Sequence, residues 1–156
     1  MKEWHIYIDG ASMGNPGDSG AGILIQDGYG NEIFSDSFFL GYMTNNRAEY
    51  EALLRALYKA NLSRIMNVYI YTDSLLITNQ IKGIYKVKDP LLQRYVNEAK
   101  KIIKNFKNFE VKYIPREKNR IADRLAKNAA KEKGGRQVVA LFQREESPGI
   151  KGQDGL

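Results

Sequence analysis

"TNNRAEYEALLRAL", residues 44–57, is the stretch on which the reading of this chain turns. Ala52, Leu53, Ala56, Leu57 and Ala60 recur at helical spacing and define an apolar stripe. Glu51, Arg55 and Lys59 sit four apart and are expected on the opposite, solvent face, where charge costs little. Glu49 does not join them. At about 100° per residue it lies roughly 40° from Leu53, on the side that should be buried. A carboxylate at the head of a core-facing stripe needs a partner or a purpose, because an unpaired buried charge is expensive.

Outward from this helix, expected over residues 45–62, the chain alternates between strand and helix patterns. Upstream, "EWHIYID" reads as a strand ending at Asp9, and "GASMGNPGDSG" as a tight loop. "AGILIQ" and "EIFSDSFFL", joined by "DGYGN", form a hairpin. Downstream, "NVYIYTD" is a fourth strand ending at Asp73, followed by the short helical piece "SLLITNQI". Asp89-Pro90 supplies an N-cap and a first-turn proline to a helix whose stripe runs from Leu91 to Phe106. "FEVKYIP" alternates like a fifth strand. Asn119 then leads a last helix with Ile121, Ala122, Leu125, Ala126, Ala129 and Ala130 inward. The order β-β-β-α-β-α-α-β-α is that of the α/β class, a five-stranded mixed β-sheet flanked by α-helices. Residues 1–133 form the domain. Residues 134–156 are expected to be a C-terminal extension, partly ordered or mobile, in which "QVVALF" is a short strand or a clip onto the body and "SPGIKGQDGL" a tail.

Composition narrows the function. At 156 residues with 43% apolar and 27% charged residues, the chain has the make-up of one soluble domain. The absence of cysteine excludes disulfides and thiolate metal sites. No run approaches about 18 consecutive apolar residues, and "MKEWHIYID" is strand-like rather than a signal peptide. No membrane partner, a cytoplasmic location and a monomer are therefore expected. The formal charge of +6 is uneven: residues 1–81 carry 5 basic and 9 acidic side chains, a net of −4, whereas residues 82–156 carry 19 and 9, a net of +10. Such a basic half suits a polyanion, and on charge alone it suits a solvated basic surface equally well.

Four acids stand where an ordinary core would not want them: Asp9 and Asp73 at strand ends, Glu49 on its helix, and Asp123 at the edge of the last helix's stripe. Each alone has a structural explanation. Asp9 can start a turn, Asp73 can cap a helix, Glu49 can complement the helix dipole and Asp123 can pair with Lys127. Together they form an oxygen-only set suited to a hard divalent cation.

The segments "YIDGASMGNPGDSGAG", "TNNRAEYEALLRAL", "YTDSLLITNQ" and "VKYIPREKNRIADRLA" closely resemble type 1 ribonuclease H of the prokaryotic type, in order and spacing across residues 4–131. The resemblance implies a ribonuclease-H-like fold and hydrolysis of the RNA strand of an RNA–DNA hybrid, leaving 5′-phosphate and 3′-hydroxyl ends. It maps the family's catalytic, metal-binding acids onto Asp9, Glu49, Asp73 and Asp123, with two Mg²⁺ ions, or Mn²⁺ as a substitute. Asp9 would bridge both ions, Asp123 complete the site of the water-activating ion, and Glu49 and Asp73 hold the other near the leaving 3′-oxygen. Asn15, Asn45 and Asn46 resemble the positions that read minor-groove bases and 2′-hydroxyls. Thr44 resembles part of a pocket for a DNA phosphate, although Tyr42 stands where some relatives carry that pocket's arginine.

Other departures are a short "PREKN" loop without the family's histidine, and a brief "KGIYKVKDP" in place of a basic protrusion. Arg116 or Lys118 could serve in the histidine's stead, while His5, inside the first strand, reads as structural. The rival readings are a nucleic-acid-binding module that kept the fold without the chemistry, and a related nuclease of the integrase or resolvase kind. A glycosidase using two of the acids is more remote.

Overall fold

A computed structural model describes residues 2–143. The elements follow in the order β1 (Glu3–Met13), β2 (Gly17–Gln26), β3 (Glu32–Met43), α1 (Asn45–Leu62), β4 (Asn67–Thr72), α2 (Leu75–Ile81), α3 (Pro90–Ile103), β5 (Asn108–Tyr113), a 3-10 turn (Arg116–Lys118), α4 (Arg120–Glu132) and β6 (Arg136–Gln137). One mixed sheet holds the strands in the order β5-β4-β1-β2-β3-β6. β1, β2 and β3 form an antiparallel meander, while β4 adds parallel to β1 and β5 parallel to β4. The expected five strands are present. The sixth is a two-residue strand that runs parallel to β3 at Phe38 and Phe39. Beyond it Val138, Ala140, Leu141 and Phe142 pack on the core, so the "QVVALF" run is both strand and clip. The stretch "SPGIKGQDGL" lies outside the described residues.

The helix starts obey their sequence signals. Thr44 Oγ1 caps α1 by accepting from the Arg47 N–H at 3.3 Å, Ser74 caps α2, and Asp89 caps α3 with Pro90 in the first turn. Because Ser74 does the capping, Asp73 is left free of that duty. The core lies between the sheet and α1, centred on Ile6, Ile8, Ile70, Leu53, Leu57 and Tyr95.

Three expectations need correction. Glu51 is fully buried, not solvent-facing, because α3 and the segment after β6 cover the outer side of α1. Ile121 is 39% exposed rather than inward, while Ala122, Ala126, Ala129 and Ala130 form the buried side of α4. β1 does not stop at Asp9: its parallel pairing with β4 ends at Tyr7, but its antiparallel pairing with β2 continues to Met13. Asp9 thus sits just past the carboxyl end of the parallel ladder, where open α/β sheets place their ligands.

Two close approaches fix the helices on the sheet. A Cβ at Gly10 would meet the backbone of Ala48 and Glu49 at 2.3 Å, so only glycine lets β1 run this close to α1. Gly20 and Gly22 do the same for α4, where a Cβ would lie 2.4 Å from Ala126 O and 2.3 Å from Ala122 O.

Candidate metal centre

The close contact at Gly10 sets Asp9 and Glu49 side by side, and the carboxyl end of β4 brings Asp73 to them. One ligand oxygen from each of these three carboxylates lies within 4.8 Å of the others. Asp9 and Glu49 are buried and Asp73 half-buried. They floor a cleft of about 550 Å³, to which Asp123 and Asn45 also contribute. Among the described residues none of the three forms an ion pair, although the charges of Arg116 and Lys127 are near enough to draw Asp73 down somewhat. Asp123 stands apart in this respect: its carboxylate is held by Lys127 at 3.2 Å and by Arg116 at 3.6 Å.

The electrostatics follow from that crowding. Burial, then the neighbouring charges of Glu49 and Asp73, push the Asp9 carboxyl far above the usual carboxylate range. Burial and the Asp73 charge likewise raise Glu49, against the pull of hydrogen bonds from the Asp9 carboxyl and the Gly10 backbone N–H. Asp73 is raised mainly by its partial burial, with the Asn119 amide opposing. Glu49 Oε2 is buried and has no hydrogen-bond partner. Three mutually repelling carboxylates with an orphaned oxygen form a poor core but a good cradle for a hard divalent cation, which prefers oxygen ligands.

The rim carries the other expected residues. Asn15, in the turn between β1 and β2, accepts the Asn45 N–H at 2.9 Å, locking the turn to the first residue of α1. Ser12 and Ser19 brace the same junction, each donating to the Met43 carbonyl. Thr44 and Asn46 are exposed beside them, and Tyr42 is 69% exposed on the approach to Thr44. Arg116 lines the acid cleft. Lys118 does not: it borders a separate hollow with Tyr7 and Gln26. His5 is tied to the Tyr71 hydroxyl at 2.7 Å and stacks on Tyr69, a structural placement.

Two residues at the site were not singled out from sequence. Asn119, almost fully buried, donates to the Ile8 carbonyl at 2.8 Å and makes a long 3.5 Å contact with Asp73 Oδ2, while its Oδ1 has no partner. It joins the start of α4 to the strand residue preceding Asp9. The sequence offered it only as the residue that leads the last helix. Lys127 lines the cleft as well as pairing with Asp123, and its i+4 spacing was a legible signal.

The chain resembles known proteins over most of its length. Residues 7–129 match the family model described as "Reverse transcriptase-like". The ribonuclease HI of Halobacterium salinarum is 35% identical over 125 residues, covering 80% of this chain and 63% of the relative, so the chain spans less than two-thirds of that protein. The crystal structure of RNase H1 from the same archaeon superposes with a TM-score of 0.80 at 34% identity, covering 85% of this chain and 99% of the other. LC11-RNase H1, solved in complex with RNA/DNA hybrid, gives a TM-score of 0.79 at 39% identity over 83% of this chain and 98% of its own. No helix among the described residues is long and apolar enough to cross a membrane.

Proposed function

The chain belongs to the type 1 ribonuclease H family, and on that premise we propose that it is an endonuclease hydrolysing the RNA strand of RNA–DNA hybrids to 5′-phosphate and 3′-hydroxyl products. The observation that carries this reading is the trio Asp9, Glu49 and Asp73, whose oxygens converge within 4.8 Å and form no ion pair among the described residues. Asp9, Glu49, Asp73 and Asp123 are the residues that would hold two Mg²⁺ ions, with Mn²⁺ as a substitute. Ions held there would supply a strong nucleophile from water and neutralise charge on the attacking and departing oxygens.

The chain's own groups do the remaining work. The sheet and the glycine contacts hold Asp9 and Glu49 in place before substrate arrives, so little ordering is left for the reaction itself. Asn119 restrains Ile8 and Asp73 together, keeping the acids in register. Asn15, Asn45 and Asn46 present amide donors and acceptors at the rim, the chemistry needed to read base edges and 2′-hydroxyls in a minor groove. Thr44 offers a hydroxyl to a phosphate of the other strand. Arg116 and Lys127, already facing an anion at Asp123, line the cleft with Lys131 and are cations that would face the cleaved phosphate. A module that only bound nucleic acid would gain nothing from crowding unpaired carboxylates in its floor.

Cleavage of an RNA–DNA hybrid, double-stranded RNA and single-stranded RNA, each with Mg²⁺ and with Mn²⁺, tests the proposal. Hybrid cleavage confined to the RNA strand and abolished by EDTA is expected. Undiminished cleavage in EDTA, or none of the hybrid with either metal, overturns it.

A further inference from the structure

Away from the cleft, the outer side of α1 carries a second buried carboxylate that the proposed chemistry does not use. Glu51 Oε1 accepts from Arg55 at 2.8 and 3.2 Å, and its Oε2 accepts from the Tyr95 hydroxyl and from the Leu141 N–H at 2.8 Å. The segment after β6 is gripped largely through its backbone. Arg55 donates to the Val139 carbonyl at 2.9 Å, Arg47 to the Phe142 carbonyl and Arg94 to the Gln143 carbonyl at 3.0 Å. The Phe142 ring fills the remaining space, edge-on to Tyr95 at 4.9 Å with the Arg94 guanidinium 4.7 Å from its centroid.

Arg47 makes this more than a packing detail. Its backbone N–H is the one that the Thr44 cap binds, and its Nε donates to the Tyr95 hydroxyl at 3.2 Å. The first turn of α1, which presents Thr44, Asn45 and Asn46, is therefore held at one end by its cap and at the other by the strap. A hydrogen-bonded line runs from Arg47 through Tyr95 to Glu51 and on to Leu141.

We propose that residues 138–143 form an intramolecular strap, latched by Glu51, that holds the first turn of α1 in its substrate-reading position through Arg47. Arg47 and Glu51 are positioning residues: they act through Thr44–Asn46 and touch neither the acids nor the reacting phosphate. The inference rests on the reading of that turn as a hybrid-binding surface. Release of the strap leaves the carboxylate trio in place, because Asp9 and Glu49 are set by the β1–α1 contact at Gly10.

Full-length Leu141→Pro removes one N–H from the latch together with the packed Leu141 side chain and leaves Glu51, Tyr95, Arg47 and Arg55 in place, and Glu51→Gln keeps the shape without the charge. Each is compared with wild type for KM and kcat on an RNA–DNA hybrid with Mg²⁺, and for amide hydrogen exchange at Asn46–Ala48. KM should rise about fivefold, the size of one lost hydrogen bond, with kcat within about twofold, and the first-turn amides should exchange faster by at least a similar factor. Unchanged exchange in both variants overturns the strap, as does a KM within twofold of wild type or a kcat that falls in parallel. If wild type does not cleave the hybrid, the functional reading fails, while the exchange measurement still decides whether the strap holds the turn.

Discussion

Glu49 and Glu51 lie two residues apart on α1 and are both buried, yet their surroundings are opposite. Glu51 is met by a guanidinium, a phenol and a backbone amide, so its charge is answered within the chain. Glu49 is met by two other carboxylates, and one of its oxygens has no partner at all. Burial alone therefore does not mark a functional acid. What sets Glu49 apart is burial beside like charges with one oxygen unpartnered, a cost that fits the proposed role of holding a cation from outside.

The comparison is broken most sharply at the cleft. Asp9→Asn should lower hybrid cleavage by at least about a thousandfold, the scale of removing a preorganised charged group from a reacting centre. Steady-state rates under saturating Mg²⁺ check this, with circular dichroism to show that the fold persists. A variant that retains a tenth of wild-type activity would show that the trio is not the catalytic centre.

At Glu51 the expected loss is in stability. Glu51→Ala strands Arg55 and the Tyr95 hydroxyl, and should cost about 2–4 kcal/mol, somewhat below the usual penalty for a broken buried pair because Arg55 retains some exposure. Urea titration measures it. A cost under about 0.5 kcal/mol would mean that the latch is ornamental.

In metal-free buffer the same Asp9→Asn change should stabilise the fold by about 1–3 kcal/mol. The folded pKa of Asp9 lies above its unfolded value, so the folded state retains a proton that the unfolded state gives up. Stability contributed by this group is full below about pH 4 and is lost as pH rises through the folded pKa. The gain from the substitution should accordingly be near zero at acid pH and grow toward neutrality. Thermal melts across that range in EDTA would contradict the assignment if wild type and variant ran parallel.

Asn119→Ala should lower cleavage by about tenfold, the lesser effect of losing a residue that orients a ligand. Smallest of all is Lys118→Ala, which borders a separate hollow and should change cleavage by less than about twofold. Arg116→Ala, measured alongside it, should cost more. Equal losses at the two positions would mean that proximity to Asp123 has no bearing on the reaction.

Much of this was legible in the chain itself. The bounds of α1, the cap at Asp89 and the strand after each turn follow from local rules, since a cap or an apolar period acts over a few residues, whereas the cap of α2 fell to Ser74 rather than to Asp73. Glu49 was readable for the same reason: its angle relative to Leu53 is a property of one helix. Glu51 was misplaced because that rule assumes a helix with one wet side, and α1 has none. The outer side is covered by α3 and by residues some ninety positions later, which no local pattern announces. Asn119 escaped notice likewise, because its partner is the Ile8 carbonyl, 111 residues away.

The amino-acid sequence alone determined the elements, the four acids and the family resemblance, because these reside in spacing along the chain. Only the tertiary structure decided which acids crowd together and which are answered. It set Asp9, Glu49 and Asp73 within 4.8 Å, gave Asp123 to Lys127 and Arg116, and closed a strap over Glu51. Charge costs depend on distance and on the exclusion of water, and both exist only once the sheet and helices have packed.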